Sequence, residues 1–476
     1  MYKQTELSLC SILPKDIINH CVLPYIIDIN PGQDYMVTND YRITKGNRKV
    51  KKLNQSSEDL YLITGDFHVS NRDEYKGVKI YEGKFKVSDN RGTQLSHLDF
   101  RGDVHIDIIN LTNLSNMFYK SNFNQNISHW DTSKVTHMNS MFYGSKFNQD
   151  ISNWNTSNVI DMSFMFAYSD FNQDISDWDI SKVICISYMF THSEFNKNIN
   201  NWNTKNVTHM EDTFSNSKFN QPLDNWNTKN VINMSNMFEN SIFDKNINSW
   251  NTKNVKNMSN MFYNSKFNQP LDNWNTENVI DMSFMFQNSI FNQNINNWNT
   301  SKLISTVSMF SNSKFNKNLN NWNTKNIINM SRMFYKSKFN KNLNNWNTSN
   351  VTDMSYMFCI SKFNKNINNW DTSKVKNMSR MFQNSIFNKN INNWDTSKVI
   401  NMNSMFSNSL FNQNINNWDT SKVTSMSKMF YKSKFNKDIS SWNIKNVLDM
   451  SEMFFRNETK KISWEISSFT NTNNIL

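Results

Sequence analysis

The sequence predicts an α/β repeat protein, a solenoid of 24-residue coils with a parallel β-sheet on one face and short helical turns on the other. Three observations carry that expectation. Fourteen tryptophans recur every 24 residues without an insertion or deletion: Trp130, Trp154, Trp178, Trp202, Trp226, Trp250, Trp274, Trp298, Trp322, Trp346, Trp370, Trp394, Trp418 and Trp442. Further apolar residues recur at fixed phase between them. The chain is otherwise poor in hydrophobic residues (37%), so its 36 Phe, 28 Met and 15 Trp are placed rather than scattered. Such a fixed period is what stacking requires, because each coil must bury its faces against the coils before and after it.

Counting Trp130 as position 1, the apolar positions of one unit are 1, 6, 9, 12, 13, 18 and 22, filled by Trp130, Val135, Met138, Met141, Phe142, Phe147 and Ile151. Positions 6, 9, 12 and 13 fall three to four apart, which predicts a short helix preceded by an extended stretch at positions 6 to 9. Asp or Asn followed by Thr at positions 2 and 3 is turn chemistry, since these side chains bond nearby backbone groups. The segment from position 18 to the next tryptophan, Phe147 to Trp154, reads as the strand that pairs with its copies. Position 19 is Asn124, Asn148, Asn172, Asn196, Asn220, then Asp244, then Asn268 onward. That column predicts a ladder in which a side-chain oxygen bonds the backbone of an adjacent coil, and Asp244 keeps the acceptor.

The unit W-[ND]-T-[SK]-[NK]-V-x-x-M-x-x-M-F-x-x-S-x-F-N-x-x-I, repeated over residues 106–454, resembles the BspA-like leucine-rich-repeat proteins. In particular it looks like the branch abundant in mycoplasma surface proteins and also found in amoebal and giant-virus genomes. The resemblance implies a right-handed, leucine-rich-repeat-like solenoid with a binding or surface role. It brings no catalytic residues. This chain departs from secreted members in lacking an export signal.

The ends lose the period. Ile106 to His129 keep the phase, with Ile106 in the tryptophan position, as a preliminary coil of the array at 106–454. Leu60–Val69, Val78–Val87 and Leu95–Ile109 read as strands of a β-rich cap at 31–105. Residues 1–30 hold a helical segment opened by Pro14; residues 12–27 are similar to the first helix of an F-box, although Pro24 interrupts the match. After Phe454 the phase breaks, and 455–476 read as a C-terminal cap or tail.

Net charge is +11, and the first hundred residues contribute 14 Lys and Arg against 13 Asp and Glu, so the remainder lies in the array and tail. That suits acidic partners and falls short of a dedicated nucleic-acid binder. Cys10, Cys21, Cys185 and Cys359 form no CxxC pair, which points to a reducing compartment without disulfide framework or zinc site. Leu7-Ser8-Leu9-Cys10 lacks the small residue and apolar core of a lipoprotein box. No apolar stretch is long enough for a membrane helix. The expected location is cytoplasmic, or host cytoplasm or virion for a virus-borne chain.

Candidate sites are few. The histidines stop at His209, and no repeat position presents His, Cys or paired carboxylates as a column, so no catalytic, cofactor or metal residues are expected. His209, Glu211 and Asp212 form the densest cluster and read as exposed variable positions. The run Lys45, Arg48, Lys49, Lys51 and Lys52 reads as a solvated hairpin arm, and Arg101-Gly102-Asp103 as coincidence. Two lysine columns stand out. Position 5 carries Lys134, Lys182, Lys302, Lys374, Lys398 and Lys422; position 20 carries Lys197, Lys245, Lys317, Lys341, Lys365, Lys389 and Lys437. Stacked, they predict interrupted basic stripes. The sequence therefore predicts a monomeric, non-enzymatic scaffold presenting an extended surface to a protein or glycan partner. An F-box-like adaptor of a ubiquitin ligase is the alternative.

Overall fold

The computed structural model describes residues 49–52, 60–64, 79–80, 83–87, 95, 99–100, 104–457, 464 and 470–475. The F-box-like stretch at 12–27, Cys10, Cys21 and the Arg101–Asp103 tripeptide lie outside the described residues. The chain comprises two compact units, Met1–Asn230 and Val231–Leu476.

Among the described residues the first unit opens with six strands: β1 (Lys49–Lys52), β2 (Leu60–Thr64), β3 (Lys79–Ile80), β4 (Gly83–Val87), β5 (Asp99–Phe100) and β6 (Val104–Ile108). One sheet runs in the order β1-β2-β4-β6, and β3 pairs with β5. β1 is antiparallel to β2, so part of the expected basic hairpin arm is a strand. β2, β4 and β6 are parallel, with Leu60 opposite Lys84 and Phe85 opposite Ile106. Parallel pairing at β2 and β4 already has the 24-residue offset of the coils that follow. β6 carries Ile106, the residue in the tryptophan position of the preliminary coil.

Coil contacts then repeat within each unit. The residue at position 8 forms a parallel bridge to its copy in the next coil: Asn113, His137, Asp161, Cys185 and His209 in the first unit, and Asn233, Asn257, Asp281 onward to Asp449 and Asn471 in the second. From there the backbone alternates. In the coil of Trp130, the N–H groups of Met138, Ser140, Phe142 and Gly144 donate to carbonyls of Asp161, Ser163, Met165 and Ala167 in the next coil. Those of Met141, Tyr143 and Ser145 donate back to Met138, Ser140 and Phe142 within the coil. Successive turns with i to i+3 bonds result, satisfying the backbone without a helix.

This corrects the expectation of short helical turns, because no helix occurs among the described residues. A helix would send each N–H to the carbonyl four residues back. Here alternate N–H groups serve the neighbouring coil, and positions 11 and 15 adopt left-handed φ, as at Ser140 (56°) and Gly144 (61°). The pairing segment also differs from expectation. It is the single residue at position 8, inside the predicted extended stretch, and not Phe147 to Trp154. There the Phe147 N–H goes to Ser145 Oγ, that of Asn148 to Asn124 Oδ1, and that of Trp154 to the Ile151 carbonyl. Side chains and local turns take the donors that a strand would give to carbonyls.

The asparagine ladder is present. Asn172 donates its N–H to Asn148 Oδ1 and Asn196 to Asn172 Oδ1, both at 2.9 Å. In the second unit Asn268 donates to Asp244 Oδ1, also at 2.9 Å, so the aspartate does the same work. The core is stacked aromatic. Trp154 and Trp178 lie 6.4 Å apart at 4° in the first unit, as do Trp250 and Trp274 at 3° in the second. Indoles also donate to earlier carbonyls, for example Trp322 Nε1 to Ile295 O, 27 residues back, at 3.0 Å. Such bonds let a large ring be buried with its polar atom satisfied. Position 3 threonine is buried likewise: Thr324 Oγ1 donates to the Asn347 carbonyl of the next coil. At the C-terminal end, Met450, Glu452 and Phe454 give their N–H groups to Asn471, Asn473 and Ile475. The last full coil therefore does not end on open donors.

Candidate functional site: a cationic face on the second unit

Charge is concentrated in one stretch of the array. Residues 282–352 contain eight Lys and Arg and no acidic residue. Over 282–418 there are fifteen Lys and Arg against Asp353, Asp371 and Asp395, a net of +12 that exceeds the +11 of the whole chain. The remainder of the protein is nearly neutral.

The two lysine columns are placed differently from one another. At position 5 the fold uses asparagine to bond the preceding coil, as when Asn326 Nδ2 donates to the Ser301 carbonyl at 2.6 Å. A lysine that follows such an asparagine donates to its side-chain oxygen: Lys134 to Asn110, Lys182 to Asn158, Lys302 to Asn278 and Lys374 to Asn350. These lysines belong to inter-coil hydrogen bonding as well as to the surface. Lys398 and Lys422 follow lysines and complete a run of three with Lys374.

Position 20 behaves otherwise. Where it is glutamine, Nε2 reaches back to the asparagine ladder, as Gln293 does to the Asn268 carbonyl at 2.9 Å and Gln413 to Asn388 Oδ1 at 3.0 Å. Lysine forgoes that bond. Lys317, Lys341, Lys365 and Lys389 occupy four consecutive coils, all exposed. Lys314, Lys338 and Lys362 stand three residues before the first three of them and are exposed too. Coils paired like parallel strands repeat at about 4.8 Å, so these ammonium groups form a close, like-charged array. None of the seven takes part in an ion pair among the described residues. Lys245 and Lys437 lie in the same column nearer the ends of the second unit, and Lys197 in the first unit.

Position 7 leaves Ile280, Ile304 and Ile328 in consecutive coils at 37%, 43% and 46% exposure. Asn320, Asn344 and Asn368, in the lysine-bearing coils, each have a buried side-chain oxygen without a partner in the chain. Tyr356 is held between two guanidinium groups, 4.8 Å from Arg332 and 5.2 Å from Arg380, and its hydroxyl accepts from Arg380 at 2.7 Å. That arrangement fixes two cations, one from each coil flanking that of Tyr356, to one ring. Burial pushes the neighbouring Cys359 thiol up to about 11 despite Arg380, Lys336 and Arg332, so it is a packed, inert thiol.

The cluster at His209, Glu211 and Asp212 is not exposed as expected. His209 and Asp212 are buried. His209 occupies the bridging position, with Nδ1 2.8 Å from Thr208 Oγ1, and burial lowers its pKa. Glu211 is pushed up to about 7 by burial, and its Oε2 has no partner. Stacking on the preceding coil accounts for that burial: His209 bridges Cys185, and the Glu211 carbonyl accepts from the Tyr188 N–H.

Sequence reasoning placed no metal ligands, yet the fold brings His105, Asp107 and His129 together near the start of the array. The available signal was the pair of histidines one period apart. No helix among the described residues is long and apolar enough to cross a membrane.

The chain is similar to the family described as Mycoplasma protein of unknown function, DUF285, which matches residues 94–194, 186–289, 239–338, 264–361, 304–409 and 383–476. No curated protein and no solved structure matches it.

Proposed function

The chain belongs to the DUF285 family, a family of unknown function, and from that premise we propose that it is a non-enzymatic, right-handed solenoid scaffold that binds an acidic protein surface. The position 20 lysine column of the second unit carries this reading. At Lys317, Lys341, Lys365 and Lys389 the chain gives up the glutamine-to-ladder bond made elsewhere and accepts like-charge crowding instead. Stacking alone is better served by glutamine. A carboxylate-rich partner relieves the crowding and is steered to the face at long range. The exposed isoleucines at 280, 304 and 328 of the same unit favour a protein over a glycan, because protein interfaces combine apolar and charged contacts.

The test is affinity enrichment from cell extract with the full chain and with the variant Lys317→Glu, Lys341→Glu, Lys365→Glu, Lys389→Glu, the bound proteins being identified by mass spectrometry. Acidic proteins recovered by the first and lost from the second, with retention falling as salt is raised, are expected. Recovery of the same proteins by both chains refutes the reading.

A further inference from the structure

We propose that His105, Asp107 and His129 form a binding site for a divalent first-row transition cation of the zinc type. Asp107 Oδ1 lies 2.9 Å from His129 Nε2 and 3.3 Å from His105 Nε2. The two imidazoles stack with centroids 4.9 Å apart at 8°, and all three ligand atoms fall within 4.8 Å of one another. Donors bound tetrahedrally at about 2.0–2.1 Å from zinc are about 3.3 Å apart, so the oxygen–nitrogen separations already have the size of a coordination shell. Two imidazoles and a carboxylate suit zinc, nickel or copper, whereas calcium and magnesium require oxygen ligands.

The repeat itself does not ask for these histidines. They precede Ile106 and Trp130, in position 24 of successive coils; the same position later in the first unit is Asn153, Asp177, Asn201 and Asn225. Asn153 uses its amide to bond the Ser128 carbonyl, a contact that stacking favours. Histidine takes that place twice in succession, where Asp107 on β6 can meet both rings. Pairing of β6 with β4 holds His105 and Asp107, and the indole bond from Trp130 to the Ile106 carbonyl holds the next coil against them. Both histidines are exposed, so a cation enters directly from solvent. Three protein donors leave a coordination position for water, as in open zinc sites. Without the cation, the contact between His129 Nε2 and Asp107 Oδ1 keeps these donors gathered.

The experiment is zinc titration of the full chain against a chromophoric chelator, with ZnCl2 as probe. The comparison is the double variant His105→Asn, His129→Asn, which installs the asparagine used by other coils; a metal-free thermal melt shows whether its fold is kept. One zinc site in the unaltered chain that the double variant lacks is expected. Each single substitution should weaken it by more than the about tenfold that losing even a supporting contact costs. No binding by the unaltered chain, or equal stoichiometry and affinity in both, overturns the proposal. Copper(II) electron paramagnetic resonance of the unaltered chain is independent of any variant's folding. Coupling to two imidazole nitrogens is expected, and a spectrum without it also overturns the assignment.

Discussion

Replacing Asn340 tests the ladder at one rung. Asn340 donates its own N–H to Asn316 Oδ1 at 3.0 Å, and its Oδ1 accepts the Asn364 N–H at 3.0 Å. Asn340→Ala leaves the first bond intact, since that bond uses the backbone. It removes only the acceptor of Asn364. A buried donor left unpaired costs about 1–3 kcal/mol, and the half-buried site lets water recover part of it, so about 1–2 kcal/mol is expected. Asn340→Asp keeps the oxygen, as Asp244 does for Asn268, and lies in the coil that carries Lys341; its effect should stay within about 0.5 kcal/mol. In a quasi-one-dimensional array one rung is a local event, so the sharper assay is native-state hydrogen exchange at the Asn364 amide, with urea unfolding alongside it. Faster exchange in the alanine variant and near-parental exchange in the aspartate variant are expected. Equal exchange in all three chains, or equal loss in both variants, would falsify the claim that the side-chain oxygen bears the bond.

Three other substitutions have definite outcomes. Trp322→Ala removes a buried ring that stacks on Trp298 and Trp346 at 6.4 Å and should cost about 3–5 kcal/mol in chemical denaturation, while Trp322→Phe keeps a ring, orphans the Ile295 carbonyl and should cost about 1–3 kcal/mol. No loss in the phenylalanine variant would show that the indole bond contributes nothing. Glu211 has a folded pKa of about 7 against an ordinary 4.5, so the fold disfavours its charge. The penalty is absent below the ordinary value, grows as pH rises through that window and reaches about 3 kcal/mol above it. Glu211→Gln should therefore gain on the unaltered chain as pH rises from 4.5 to 7 in urea titrations, and parallel pH profiles would show the carboxyl to be solvated. Ile360 is β-branched with φ 56°, where Asn384 and Asn408 occupy the equivalent turn position in later coils. Ile360→Asn should raise the denaturation midpoint by about 1 kcal/mol of stability, and a fall would mean that the exposed isoleucine makes a contact outweighing its left-handed backbone.

Much of the candidate surface was legible in advance, and its division was not. Lys317, Lys341, Lys365 and Lys389 fall in one column by counting alone, and so does the absence of acids from 282 to 352. That Lys134, Lys182, Lys302 and Lys374 each bond an asparagine one period earlier depends on where stacked side chains reach, which periodicity does not report. His209 and Glu211 looked exposed because nothing local buries them; the preceding coil, with Cys185 and Ser187, does.

What the sequence determined by itself was the period, the seven apolar columns and the asparagine ladder, because an array with identical neighbours needs the same residue at the same place on every coil. What only the tertiary structure decided was the backbone between those columns. Spacing of three and four at Val135, Met138, Met141 and Phe142 is shared by a helix and by a chain of turns. Asparagine at position 15, as in Asn288 and Asn312, and Gly144 were the available hints, since these residues tolerate left-handed φ. The choice rests on where alternate N–H groups find carbonyls. A helix would satisfy them within the coil, and here the next coil, stacked one period away, takes half of them instead.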